Sequence, residues 1–250
     1  MSATHHSFQN LLLKEIAPEE LAKLSRELVP VDMPKDYVIA AADGPIDHIY
    51  FPDCGLGSIV AISPEGNQVE AGMFGRDGFS PVQALIGSDI SIHEIVMQTG
   101  GYGHRMKRAD FMKVMEESPS FAHLLSCYSQ VLAIQTTFTA LSNATHSIDE
   151  RLARWLLMCH DRMDGDELLI THDYIAFMLG VRRPSVTTSL HVLEGNGFIR
   201  SERRCIVIRN RGALEDFAHD AYGKPEAEYR RLFGKPLHKH SNVIPLVKCD

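Results

Sequence analysis

Between Ile170 and Arg200 the apolar positions recur twice with helical period, separated by a break. Ile175, Ala176 and Leu179 share one face behind Thr171, whose hydroxyl suits an N-cap, so a short helix is predicted to stop at Gly180. A glycine there tolerates the left-handed backbone of a sharp turn. A second helix is predicted to open on Pro184, whose missing N–H would lack a partner in a first turn anyway, and to end near Gly195. Val186, Leu190 and Leu193 form its buried stripe, which leaves Pro184, Ser185, Thr188 and His191 outward. Phe198-Ile199-Arg200 and Cys205-Ile206-Val207-Ile208 then read as two strands around the charged turn Ser201-Glu202-Arg203-Arg204. Two helices at an angle with a β-wing beside the second form a unit that a DNA major groove admits. Without the wing, the pattern would fit an ordinary pair of core helices equally well.

Upstream, Asp110 to Glu117 is helical and Pro119 restarts the chain. Phe121 to Thr145 contains neither proline nor glycine. Leu124, Tyr128, Val131, Gln135, Phe138 and Ser142 recur at alternating four and three residues, beside Leu125, Leu132 and Thr139, which is a heptad seam. Such a helix spans roughly 38 Å, about one turn of DNA, so a parallel homodimer through residues 120–145 would carry two reading heads to successive grooves. A helix lying lengthwise against its own domain would need only one of the two stripes. The polar stretch from Asn143 to Ile148 is the expected hinge. After it, Ile148 to Asp161 should form a helix with Leu152, Trp155, Leu156 and Met158 turned inward.

The first half has a different texture. Two short helices are expected between Ser7 and Leu28, the second opening on Pro18-Glu19-Glu20. From Val31 to Gly103 short apolar runs follow one another: Tyr37-Val38-Ile39, His48 to Phe51, Leu56 to Ile62, Val69 to Phe74 and Ile90 to Gln98. Glycine- and proline-bearing turns at Asp43-Gly44-Pro45, Pro64 to Asn67, Gly75 to Gly78 and Gly100-Gly101 separate them, a pattern that predicts a sandwich or small barrel.

Charge changes the picture at one place. The chain of 250 residues carries a formal charge of −7, yet between Arg182 and Arg211 seven arginines (182, 183, 200, 203, 204, 209 and 211) face only Glu194 and Glu202. A positive reversal confined to one module is what phosphate neutralisation requires. The apolar fraction of 44% is ordinary for a globular chain, no apolar run approaches a membrane span, and Met1 to Asn10 lacks the features of a signal peptide, so the cytoplasm is the expected location. Five scattered cysteines without a Cys-x-x-Cys pair point to reduced thiols. His123 and Cys127 share a helix face but have no third ligand in reach, so neither metal nor cofactor is expected.

The run Arg151-Leu152-Ala153-Arg154-Trp155-Leu156-Leu157, with Ile170-Thr171, Ile175-Ala176, Leu179-Gly180-Val181, Arg183, Ser185-Val186-Thr187, Leu190, Leu193-Glu194, Gly197-Phe198-Ile199 and the wing, resembles the Crp/Fnr family of bacterial transcription regulators. The resemblance is specific from Arg151 to Arg211 and weaker over the first half. It implies an α+β fold: an N-terminal double-wound, jelly-roll-like β-roll over residues 1–118, a long dimerisation helix at 119–145, a winged helix-turn-helix at 146–234, and a loose tail at 235–250. It also implies a palindromic double-stranded DNA operator, RNA polymerase as a partner, and a roll that can take a small-molecule effector.

Carried over residue by residue, the resemblance places Thr171 and His172 against the DNA backbone together with wing residues Arg203 and Arg204. It sets Arg183 at the family's base-reading position, beside Arg182, Ser185, Thr187 and Thr188. Pro184 stands where relatives carry a glutamate and Thr188 where they carry a second arginine, so a different operator is expected. In the roll, Gly75-Arg76-Asp77-Gly78 lacks the glutamate of the nucleotide-binding turn, and Ser91-Ile92 replaces the Arg-Ser phosphate clamp. Thr136 and Thr137 align with positions that touch a nucleobase in cyclic-AMP-binding relatives, and Arg76 could serve another anionic effector. Cyclic AMP is nevertheless not expected.

No Gly-rich phosphate loop, H-E-x-x-H or nucleophile elbow occurs, so enzymatic activity is not expected. A rival reading is a ligand- or redox-sensing protein whose output is a protein partner rather than DNA.

Overall fold

The computed structural model describes residues 8–238. Asn10 caps helix α1 (Leu11–Lys14) by accepting from the Leu12 and Leu13 amides, and its own amide donates to the carbonyls of Pro52 and Gly78. One buried side chain thus fixes the N-terminal helices to the sheet domain. After α2 (Pro18–Leu24) come strands β1 (Val29–Met33), β2 (Val38–Ala40), β3 (Gly44–Pro45), β4 (His48–Pro52), β5 (Leu56–Ile62), β6 (Gln68–Phe74), β7 (Ile90–Ser91), β8 (Glu94–Thr99) and β9 (Gly101–Lys107). All pairings are antiparallel, in sheets ordered β1-β9-β4 and β2-β8-β5-β6, with a small β3-β7 ribbon. This is the roll the sequence implies. Its filling is aromatic: Phe51, Phe79, Phe111, Phe121 and Tyr128 are fully or almost fully buried, with successive ring centroids 5.5–6.3 Å apart.

Helix α3 (Arg108–Glu117) leads to α4 (Pro119–Thr145), capped by Ser118 and opened by a proline. Of the heptad seam, Tyr128, Val131, Gln135 and Ser142 are buried within the single chain, while Leu124 and Phe138 are half-buried. Gln135 hydrogen-bonds both backbone groups of Met73 on β6, and Val131 packs with Tyr229 and Leu237 from the far end of the chain. A neighbouring stripe remains open, with Cys127 and Ile134 half-buried and Ala133, Thr137, Ala140 and Leu141 exposed.

Ser147 and Glu150 form a reciprocal capping box that starts α5 (Ile148–Arg162). Every residue of α5 from Leu152 to Arg162 is buried, because the helix is enclosed on all sides. Strand β10 (Glu167–Leu168), α6 (His172–Leu179), α7 (Arg183–Gly195), β11 (Ile199–Glu202), β12 (Cys205–Ile208) and α8 (Arg211–Ala218) complete the module, with sheet order β10-β12-β11. Leu56 and Met73 of the roll belong to the same apolar cluster as Trp155, Met178 and Leu190. The last helix, α9 (Lys224–Phe233), turns back to pack along α4. Residues from 239 onward, including most of the expected tail, lie outside the described residues, as does Ser7, where the first helical stretch is expected to begin.

Candidate DNA-binding face

The helix-turn-helix forms where the periodicity places it. Thr171 accepts from the Tyr174 amide as N-cap of α6, and Gly180 ends that helix in the left-handed region at φ 61°. Helix α7 begins one residue before Pro184, and Val186, Leu190 and Leu193 are fully buried along its inner side. Arg182, Arg183, Pro184, Thr188 and His191 are exposed, while Ser185 and Thr187 are half-buried at its base. The outer surface of α7 is therefore polar, small and open to solvent.

Three of the positions do more than face outward. The two ring nitrogens of His172 lie 3.3 Å from the Thr187 hydroxyl and 3.5 Å from the Ser201 hydroxyl, so the imidazole ties α6 to both α7 and the wing. Arg183 pairs with Asp173 on α6 at 3.1 Å, both side chains well exposed. Arg204 sits in the wing turn at φ 62°, a conformation unfavourable for a residue with a Cβ. Arg203 and Arg204 are exposed beside α7.

The local positive excess is smaller than a count of arginines implies. Arg211 turns inward to Asp161 at 2.7 Å and to Glu215 at 2.7 Å, and donates to the Tyr222 hydroxyl. Arg200 pairs with Glu202 at 2.8 Å. Arg211 is thus a structural cation, and the unspent charge rests with Arg182, Arg203, Arg204 and Arg209.

Arg76, Thr136 and Thr137 do not form one site. Arg76 pairs with Asp164 and donates to the Met163 carbonyl at 3.3 Å, whereas both threonine hydroxyls donate to carbonyls of their own helix. Helix α4 approaches the roll closely at two points: a Cβ added to Gly72 would stand 3.2 Å from Gln135, and one on Gly78 would overlap the Tyr128 ring. Cys127 and His123 do approach, at 3.6 Å, but among the described residues no group of three metal-ligating side chains gathers. Cys54, Cys127, Cys159 and Cys205 are free thiols. No helix among the described residues is long and apolar enough to cross a membrane.

Sequence reasoning missed a buried polar cluster behind this face. Trp155 of α5 donates to Glu70 of β6 at 2.9 Å, Ser58 and Gln98 also contact that carboxylate, and the Met178 sulfur lies 3.5 Å from the Ser58 hydroxyl. Burial pushes the Glu70 carboxyl up to about 7, against the opposing hydrogen bonds of Ser58 and Trp155. The partners are some 85 residues apart in sequence, and no local pattern announces them.

A β-roll is joined through a long helix to an exposed, arginine-edged winged helix-turn-helix. Residues 150–217 match the family model of the Crp-like helix-turn-helix domain. Over 213 residues the chain is 24% identical to a CRP-like cAMP-activated global transcriptional regulator of Mycobacterium tuberculosis, covering 79% of this chain and 91% of that protein. Among solved structures it resembles FixK2 from Bradyrhizobium japonicum (TM-score 0.66, 18% identity, 78% of this chain and 99% of that one). It also resembles the c-di-GMP responsive global regulator CLP of Xanthomonas campestris (TM-score 0.63, 16% identity, 77% and 99%). The chain carries a Crp-like helix-turn-helix domain, and its overall fold is that of the Crp/Fnr regulators.

Proposed function

We propose that the protein is a sequence-specific DNA-binding transcription regulator of the cytoplasm that reads a palindromic operator as a homodimer. The observation that carries this reading is the solvent-exposed outer surface of α7, with Arg182 and Arg183 at its entry and Arg203 and Arg204 on the adjoining wing. In it, Arg183 reads a base edge, and Thr171, His172 and the wing arginines hold phosphates. Ser185, Thr187 and Thr188 line the groove side, where the threonine methyl groups suit thymine.

The homodimer forms through residues 120–145 in this reading, by the open stripe of α4 that includes Cys127, Ile134 and Leu141 at seven-residue spacing. RNA polymerase is the downstream partner expected of such a regulator. In this reading cyclic AMP is not the effector, which the close approach of Leu132 and Gln135 to Gly72 and of Tyr128 to Gly78 supports. Selection of bound duplexes from a random pool tests the function: recovery of a two-fold symmetric motif is expected, and recovery of no motif overturns it. Cyclic AMP added to the selected duplex is expected to leave affinity unchanged.

A further inference from the structure

Between the roll and the helix-turn-helix domain lies a cavity of about 400 Å³. Lys35, Arg76, Gln98 and Thr99 reach it from the roll, Arg162 and Asp164 from the other domain, and Lys35 pairs with the exposed Asp36 at 3.0 Å. Two of these groups are buried with hydrogen-bonding capacity unmet. Arg162 is 2% exposed; it pairs with Asp77 at 2.9 Å and donates to the Met158 carbonyl, yet its Nε has no partner. Gln98, also 2% exposed, turns its Nε2 to Glu70 and Ser58, while its Oε1 has none. Both atoms are closed off by the protein around them, so Arg76 and Lys35 are the cations that a molecule in the cleft can reach.

Arg76 supplies the means of exchange. Its partner Asp164 is 83% exposed, and an ion pair with so solvated a carboxylate is readily given up to a better anion. A guanidinium that can bind two oxygens at once, with an ammonium across the cleft, suits a phosphate monoester or a polycarboxylate. The volume is in the range of small-molecule sites.

We propose that this cleft binds a small organic anion, a phosphate monoester or a di- or tricarboxylate, held by Arg76 and Lys35. Because both domains wall the cleft, such a ligand binds the docked arrangement in preference to any other and shifts the orientation of α7. That regulatory consequence rests on the DNA-binding reading; the binding itself does not.

The test is calorimetric titration of the full chain with ribose 5-phosphate, citrate and neutral ribose, followed by thermal melting and by retention on duplex DNA. Saturable binding of ribose 5-phosphate or citrate, with a raised Tm and none with ribose, is expected, and whichever of the two binds assigns phosphate or carboxylate as the source. Arg76→Gln is expected to weaken that binding at least tenfold with an unchanged circular dichroism spectrum, and Lys35→Gln, at an exposed position, several-fold. No saturable binding of either anion, or equal affinity in Arg76→Gln, overturns the site. Anion binding in a chain that never retains DNA would leave the site standing and overturn the DNA-binding reading instead.

Discussion

The indole N–H of Trp155 donates to the Glu70 carboxylate at 2.9 Å, joining the first helix of the winged helix-turn-helix module to a strand of the roll. Because burial raises the Glu70 carboxyl to about 7 from an ordinary 4.5, the folded chain binds a proton there that the unfolded chain has released. The sign follows from linkage: the penalty is absent below about pH 4.5, grows as pH rises, and is complete above about 7. Glu70→Gln keeps the shape and removes the charge. Urea unfolding is expected to show no gain for the variant near pH 4.5 and a gain approaching about 3 kcal/mol at pH 8. A difference that does not vary with pH would refute the assignment.

His160 should stay neutral through the physiological range. Burial, aided by the charge of Arg211, holds its imidazole down to about 4. Arg211 donates to Nδ1 at 3.0 Å, which leaves the proton on Nε2, 3.0 Å from Asp166. The stability this confers is present above about pH 6.5 and lost as pH falls toward 4, opposite in sign to that of Glu70. Long-range nitrogen–proton NMR is expected to show the Nε2–H tautomer with no titration above about pH 5; a midpoint near 6.5 would contradict it.

Arg204 occupies a backbone region that glycine adopts more easily. Arg204→Gly is expected to relieve about 1 kcal/mol of strain and raise the Tm, while weakening binding to all duplexes alike. A gain in stability coupled to a loss of affinity separates a phosphate-contacting role from a structural one. Unchanged DNA affinity would remove Arg204 from the interface.

Arg183 and Arg203 should behave differently on the operator. Arg183→Ala is expected to cost about 1–3 kcal/mol at one base-pair position, whereas Arg203→Ala weakens every sequence equally and reduces the salt slope. The pair between Arg183 and Asp173 adds a further expectation: Asp173→Asn frees the guanidinium and strengthens binding. Titrations over single-base variants read all three effects.

Much of the reading head was legible because its signals are local. Thr171, Gly180 and Pro184 each act within one turn of their own position, and all three hold their expected roles, with α7 starting a single residue early. The capping box at Ser147 and Glu150 was equally local and went unread. Strand β9 escaped because it is rich in polar residues and glycine, and β1 because Pro30 and Asp32 interrupt it; both owe their form to pairing across the domain, Val29 opposite Arg105. The period of α4 showed which residues would be covered but not by what. Tyr128, Val131 and Gln135 proved to be covered from within, by the roll and α9, a matter that only the tertiary arrangement decides.

The open stripe of α4 can be tested by charge. Ile134→Glu and Leu141→Glu place carboxylates on the surface offered to a second copy, and sedimentation is expected to shift from dimer to monomer with loss of operator affinity. Tyr128→Ala, on the inward stripe, should instead destabilise the fold by about 3–5 kcal/mol. Dimerisation untouched by both glutamates would move the interface elsewhere.

The most direct measurement is affinity for the selected operator and for a scrambled duplex across a salt series. A shared two-headed grip on phosphates should cost roughly a thousandfold in affinity between about 50 and 200 mM salt, with the operator retained far more tightly than the scrambled duplex throughout. Binding that is flat in salt, or equal for the two duplexes, would contradict the reading of α7 and its wing as a sequence-reading surface.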